Sequence, residues 1–561
     1  MPLNAGNSRH LATAALAALA LAGCSRQAAQ QPPVFDAERI TADTRTLSSD
    51  EFGGRAPATP GEQKTVEFLV AQLQAAGLAP GGDLQADGSR AWTQDVPLLR
   101  TEITGPTKIE IRAGRNTLKW SQSQQISIRP AQTGVERVTV NGAPLVFVGY
   151  GVNAPERQWD DFKGLDLKGK IALMLVNDPD FETGKGDFGG KAMTYYGRWT
   201  YKFEEAARRG AAGVLVIHEE APASYGWSVI GNSGEGPSFD VLRADPLSVH
   251  TPVEGWIQRD ATVDLFKRAG LDFDALKASA QTRGFTPAEL KGVTLSTDFA
   301  LKNDRVTSKN VVGVLTGKQH PDEWILYTSH WDHLGTGEAE GDKDRIYNGA
   351  IDNAAGSAQL LEIARAFARA GAPARSVAFL WVAAEEQGLL GSEYYATNPL
   401  YPLEKTVANI NTDAPNSTAP AKNFTTSGDA PLTLQDMLVE EGRKLGRSYS
   451  SDTHPEAGYF FRSDHFSFAK RGVPAISFGS GDDLVEGGTA AGEAWEKAYR
   501  ENRYHQAADE VGPDWRSDGI ADDAKLLYAL GRRLADSREW PEWKEGAEFK
   551  AARDGSAAQR K

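Results

Sequence analysis

Three short clusters between His330 and Glu386 constrain this chain more than any other stretch. They read His330-Trp331-Asp332-His333, Gly349-Ala350-Ile351-Asp352-Asn353 and Ala383-Ala384-Glu385-Glu386. The first follows Ile325-Leu326-Tyr327 and the third follows the apolar run 377–382. Both runs read as buried strands. Polar side chains at the carboxyl ends of buried parallel strands face the crevice where open α/β sheets bind ligands. Imidazole and carboxylate donors converging there suit divalent zinc, which takes nitrogen and oxygen ligands. The expectation is a hydrolytic site built around two metal ions.

Two cations roughly 3.5–4 Å apart clamp the attacking and leaving oxygens of a displacement. Such a site needs a bridging carboxylate, one or two more ligands per ion, and a free carboxylate to take a proton. Asp352 suits the bridge. His330 and His505 suit terminal ligands, with Glu386 and Asp413 as the remaining carboxylates. Glu385 adjoins Glu386, and in extended backbone its side chain points the other way. It is therefore the expected general base. Asp332 is placed to accept the second ring N–H of His330 and fix its tautomer.

The chain has 561 residues, too many for one core, so two or three domains are expected. Hydrophobic residues make up 40% and charged residues 24%, as in globular proteins. A formal charge of −14 argues against nucleic acid as a partner, since phosphate binding needs a clustered cationic surface. Arg9 and His10 precede an apolar run, 11–22, too short to span a bilayer. The run ends Leu21-Ala22-Gly23-Cys24 and resembles a bacterial lipoprotein signal, in which the cysteine carries the lipid. Residues 1–24 are thus expected to be the signal and 25–40 a tether, with the membrane reached only through Cys24. Ser25 resembles sorting to the outer membrane, so export to the cell envelope is expected. Cys24 is the only cysteine, so no disulfide is expected.

Residues 41–78 read as helical, broken at Gly53-Gly54 and at 57–61 and stopped by Gly77. From 92 to 148 short alternating runs read as strands. A βαβ unit follows: strand 170–176, helix 203–210, strand 213–217. After Asn310 the strands are read at 311–315, 324–328, 377–382 and 407–410, and the helices at 355–370, 389–396, 432–445 and 520–534. The fold class is α/β, a mostly parallel sheet with helices on both faces. From Pro541 the charged, Trp-bearing tail reads as a surface extension.

These residues resemble the dizinc exopeptidases that include secreted bacterial leucine aminopeptidases, aminopeptidase Y and glutamate carboxypeptidase. The family pattern stands here as His330-Trp331-Asp332, Asp352-Asn353, Glu385-Glu386, Asn411-Thr412-Asp413 and Tyr504-His505. The resemblance implies two Zn2+ per chain, with the five metal ligands and the base already named. It also implies that the Tyr504 hydroxyl donates to the tetrahedral oxyanion. Residues 135–300 resemble the inserted protease-associated domain of many members, which splits the peptidase domain into 41–134 and 301–540, before a tail at 541–561. Asn411-Thr412-Asp413 continues into Ala414-Pro415, where relatives more often carry Met then Gly, a departure that bears on pocket shape.

The implied function is an exported aminopeptidase acting on peptides. A carboxypeptidase would need cationic groups for the substrate carboxylate. Arg462 is the only arginine from 448 to 470, and the sequence shows no cluster. Glutaminyl cyclases share the fold with one zinc. A non-catalytic receptor of this architecture would lack the ligands, which are intact here. His333 reads as a packing residue or one that supports a ligand, and Asp464 and His465, which could also be ligands, as pocket structure.

Overall fold

The computed structural model describes residues 33–232, 236–338, 344–415 and 418–560. The expected signal segment with Cys24, and the first part of the tether, lie outside the described residues. Among the described residues no helix is long and apolar enough to cross a membrane.

Four parallel strands form the centre of the sheet. In space they run Arg375–Val382, His320–His330, Thr406–Thr412, Ala475–Ser480. Antiparallel strands flank them, Ala288–Leu315 on one side and Asn423–Thr426 on the other. The apolar runs read at 324–328, 377–382 and 407–410 form the cores of three of these strands and are buried along their length, as strands covered on both faces are; Ala475–Ser480 is not among the strands read from the sequence. Successive side chains on a strand face opposite ways. Tyr327 thus packs near Phe367 of the Gly356–Ala370 helix and bonds to Leu527 in the Asp518–Ala535 helix. Trp324, on the other face, stacks on Tyr401 at 3.8 Å.

A second group of parallel strands lies in the middle of the chain: Arg137–Phe147, Ile171–Leu175, Gly213–His218 and Val253–Gln258. Its alternation is plain. Leu173, Leu215 and Ile217 enter one apolar cluster, while Ala172, Met174, Val214 and Val216 enter another. Ile126–Ile128 also pairs with this group, ahead of the boundary expected at 135.

Three features differ from the sequence reading. The tether expected at 25–40 gives way at Ala37 to the helix Ala37–Leu47, in which Ile40 is fully buried. Residues 92–148 were expected to hold only short strands, yet Thr93–Ala113 is one strand of 21 residues. It pairs with the 28-residue Ala288–Leu315, and this ribbon runs through both strand groups. Gly105 and Pro106 look like breakers, but the ladder shifts register opposite them and Gly105 sits at φ +72°. The tail is not a surface extension either. Trp543 is 3% exposed and its ring nitrogen donates to the Gly472 carbonyl at 3.0 Å. Phe549 is buried, and Arg553 donates to the Thr406 carbonyl at 3.1 Å. The charges around these anchors hide them in the sequence.

The middle region is docked firmly beside the central sheet. Tyr195 meets Phe466 edge-on at 5.1 Å and donates its hydroxyl to Glu204. Lys470 pairs with Glu204 at 2.8 Å. Burial alone would raise the Glu204 pKa, but Lys470, Tyr195 and Arg208 hold it at about 2. A folded-state pKa below the ordinary 4.5 means stability that is full above pH 4.5 and lost as pH falls toward 2. The expected outcome is that wild-type protein loses stability more steeply than Glu204→Gln between those pH values in urea unfolding. Equal slopes would contradict it.

Candidate metal centre

His330 ends one central strand, Glu385 and Glu386 follow its neighbour on one side, and Asp413 follows its neighbour on the other. The chain crosses from one side of the His330 strand to the other at this point, which is where α/β sheets open a crevice. Asp352 arrives from the turn Ala350–Ala355, a π-type turn containing a cis Asp352–Asn353 peptide, which opens the Gly356–Ala370 helix. His505 arrives from the loop after the Gly488–Asn502 helix.

Asp352 sits between two sets of donors. Its Oδ1 lies 3.3 Å from His330 Nε2, which is 3.1 Å from Asp413 Oδ1. Its Oδ2 lies 3.2 Å from His505 Nε2, which is 3.2 Å from Glu386 Oε2. Two groups of donor atoms are each gathered within 4.8 Å: His330, Asp352 and Asp413, and His333, Asp352 and Glu386. Ligand atoms about 2.0–2.1 Å from a tetrahedral ion stand roughly 3.3 Å apart, so the spacings fit metal coordination. The charge fits too: Asp332, Asp352, Glu385, Glu386, Asp413, Asp464 and Asp509 cluster there against few cations.

Electrostatics separate the carboxylates. Burial would raise Asp352, but hydrogen bonds with His330 and His505 hold it well below the usual range. Glu386 is opposed by burial and Asp352, yet His333 and His505 hold it at about 2. Glu385 makes no ion pair among the described residues. Burial pushes its pKa well up, and Asp413 and Glu386 add to this against the pull of His330.

Asp332 does something other than expected. Its carboxylate is 3.8 Å from His330 Nδ1, which instead lies 3.2 Å from the Asp332 backbone carbonyl. The carboxylate accepts the backbone N–H groups of Glu385 at 3.0 Å and Glu386 at 3.4 Å. It thereby fixes the turn that sends the two glutamates different ways. Tyr504 is 41% exposed and its ring stacks on His505 at 4.0 Å. Burial around its hydroxyl end, more than the nearby carboxylates of Asp352 and Glu386, pushes its pKa up although the residue as a whole is partly open to solvent.

Several contributors lie beyond the ligands and base read from the sequence. His333 Nδ1 lies 2.6 Å from Glu386 Oε1, and its spacing in His330-Trp331-Asp332-His333 was the available signal. Ser463 donates to Asp413 Oδ2 at 2.6 Å and accepts from Asn411 at 2.7 Å. Asp464 and His465 are fully buried, with burial pushing Asp464 up to about 7 and His465 down to about 3. A cleft of about 310 Å³ opens beside His505, lined by Tyr347, Gln506 and Ala507 together with Glu338, Asp344 and Arg345.

Asp332→Ala leaves two backbone N–H groups unpaired, each costing about 1–3 kcal/mol. Urea unfolding of chelator-treated protein is expected to show a loss of that order. An unchanged midpoint would show that these hydrogen bonds carry no weight.

Comparison with known proteins shows what the chain is similar to. Residues 310–528 match the model of peptidase family M28. Leupeptin-inactivating enzyme 1 of Streptomyces exfoliatus is 30% identical over 282 residues, 47% of this chain and 56% of that protein. Aminopeptidase NAALADL1 of Mus musculus is 25% identical over 68% of this chain and 53% of that protein. The chain therefore spans little more than half the length of these two relatives. An aminopeptidase of Pseudomonas aeruginosa strain UCBPP-PA14 is 25% identical over 81% of this chain and 73% of its own. The solved aminopeptidase from Aneurinibacillus sp. strain AM-1 superimposes with a TM-score of 0.48 at 19% identity, covering 90% of this chain and 95% of that one.

Proposed function

We propose that this chain, whose residues 310–528 match peptidase family M28, is a two-zinc aminopeptidase that removes amino-terminal residues from peptides. The observation that carries the reading is Asp352, with one oxygen toward His330 and Asp413 and the other toward His505 and Glu386. His330, Asp352 and Asp413 would hold one zinc, and Asp352, Glu386 and His505 the other, with His333 steadying Glu386. Zinc bound there supplies a Lewis acid for the scissile carbonyl and a water acidic enough to give up a proton near neutral pH.

The remaining work falls to this chain's own groups. Glu385, free of ion pairs among the described residues, takes the proton of the attacking water and passes it to the leaving amine. Tyr504 offers its hydroxyl to the developing oxyanion from its stack on His505. Asp332 holds Glu385 and Glu386 by their backbone N–H groups. Ser463 orients Asp413, whose free face would meet the substrate amine. The middle region acts as a fixed wall of the substrate site, in keeping with a protease-associated domain. The apolar run 11–22 and Cys24 support export and a lipid anchor.

One observation favours the carboxypeptidase reading as a second possibility. Arg462 has a partner that sequence distance concealed. It bonds to Ser224 of the middle region at 3.1 Å, and Arg198 of the same region lies close enough that burial and Arg462 together lower its pKa to about 10. The Nε atoms of both arginines are buried without a hydrogen-bond partner. Two such guanidinium groups suit a substrate carboxylate.

The purified protein is expected to hydrolyse aminoacyl-nitroanilides, to lose activity to a chelator and to regain it with zinc. Glu385→Gln is expected to keep its zinc and lose about 10²–10⁴-fold in kcat. Full activity in that variant would remove Glu385 as the base. Hydrolysis of amino-blocked dipeptides, with none of aminoacyl-nitroanilides, would replace the aminopeptidase reading by the carboxypeptidase one.

A further inference from the structure

The turn that presents Asp352 is gripped from two sides by residues that touch no metal-site donor atom. Arg55 is 1% exposed, far from the site in sequence. It donates to the carbonyls of Trp331 at 2.9 Å, Asn348 at 2.6 Å, Gly349 at 2.9 Å and Leu47 at 2.7 Å. Trp331 follows His330, and Gly349 lies just before Asp352. One guanidinium therefore ties the His330 strand end to the Asp352 turn. Its own backbone carbonyl accepts from the His333 N–H at 3.3 Å, closing the tie.

Asp509 grips the same turn from the other side. It is fully buried, and its Oδ2 accepts the backbone N–H groups of Ile351 at 3.0 Å and Asp352 at 3.2 Å. Its backbone carbonyl accepts the N–H of Ala350 at 2.9 Å. Its Oδ1 is steadied by Arg503 at 3.2 Å. Arg503 and Asp509 flank His505 on one loop. The loop that delivers His505 thus also sets the backbone of Asp352.

The geometry points to Arg55 and Asp509 as a pair of positioning residues that hold Asp352 in register with His330 on one side and His505 on the other. Their effect is on metal affinity, through the placement of a bridging carboxylate whose two oxygens must each face a different ion. This rests on the two-zinc reading of the site. A misplaced bridge weakens binding because donor positions fix coordination geometry, and changing the groups that orient ligands costs about 10–100-fold in affinity.

The test measures zinc binding to the full chain by competition with a fluorescent chelator, alongside thermal melting of the chelator-stripped protein. Asp509→Asn keeps an acceptor for the two N–H groups but sets an amide against Arg503, and Asp509→Ala removes both contacts. Zinc affinity is expected to fall about 10–100-fold in Asp509→Ala and by less in Asp509→Asn. Arg55→Lys, which cannot reach four carbonyls, is expected to move the same way. The visible spectrum of the cobalt-loaded Asp509→Asn protein is expected to differ from wild type, a change that a loss of stability alone does not produce. If Asp509→Ala does not fold, Asp509→Asn decides. Wild-type protein that binds two zinc ions, with an Asp509→Asn variant of equal affinity and identical cobalt spectrum, would overturn this inference alone. Wild-type protein that binds no zinc would overturn the reading beneath it.

Discussion

The structure turns on one buried carboxylate shared between two imidazoles. Asp352 directs one oxygen at His330 and the other at His505, and each histidine meets a further carboxylate, Asp413 or Glu386. Buried charge of one sign is costly unless it is matched. With Asp332, Glu385, Asp464 and Asp509 close by, the protein groups alone leave an excess of negative charge. Burial alone would lower the His330 pKa, yet Asp413 and Glu385 drive it well above its ordinary value. That imbalance is what a pair of divalent cations would relieve.

The fold concentrates these groups by a simple device. Three neighbouring parallel strands end at the same edge, and each carries its functional residues within a few positions of its last apolar side chain. The strands are rigid because both faces are covered, so the donors they present are rigid too. Asp352 and His505 come from loops and need separate support, which Arg55 and Asp509 supply. The middle region is docked through Tyr195, Glu204 and Lys470, and carries Ser224 to Arg462 with Arg198 nearby.

Much of this was legible in the sequence. His330, Asp352, Glu385, Glu386 and Asp413 stand out because each follows an apolar run or a glycine turn, and His505 because it completes their order. Three of the four central strands and the helix Gly356–Ala370 could be read from their apolar pattern, while Ala475–Ser480 was not. What could not be read were contacts between distant segments. Nothing in Gly54-Arg55 announces that its guanidinium reaches the Trp331 carbonyl, and nothing near Arg462 announces Arg198. Asp332 was read as a partner of the His330 ring because the two are neighbours in sequence. The turn after Val382 brings the N–H groups of Glu385 and Glu386 closer, and they take the carboxylate instead. The long ribbon and the packed tail escaped for a related reason: breakers tolerated at a register shift, and apolar anchors spaced among charges, leave no periodic signal.

The most direct measurement is anomalous X-ray scattering at the zinc edge from crystals of the zinc-loaded protein. The account predicts two peaks roughly 3.5–4 Å apart, one in contact with Asp352 Oδ1, His330 and Asp413, and the other with Asp352 Oδ2, Glu386 and His505. A pair of peaks elsewhere, or a single peak that leaves one oxygen of Asp352 without a metal, would contradict it.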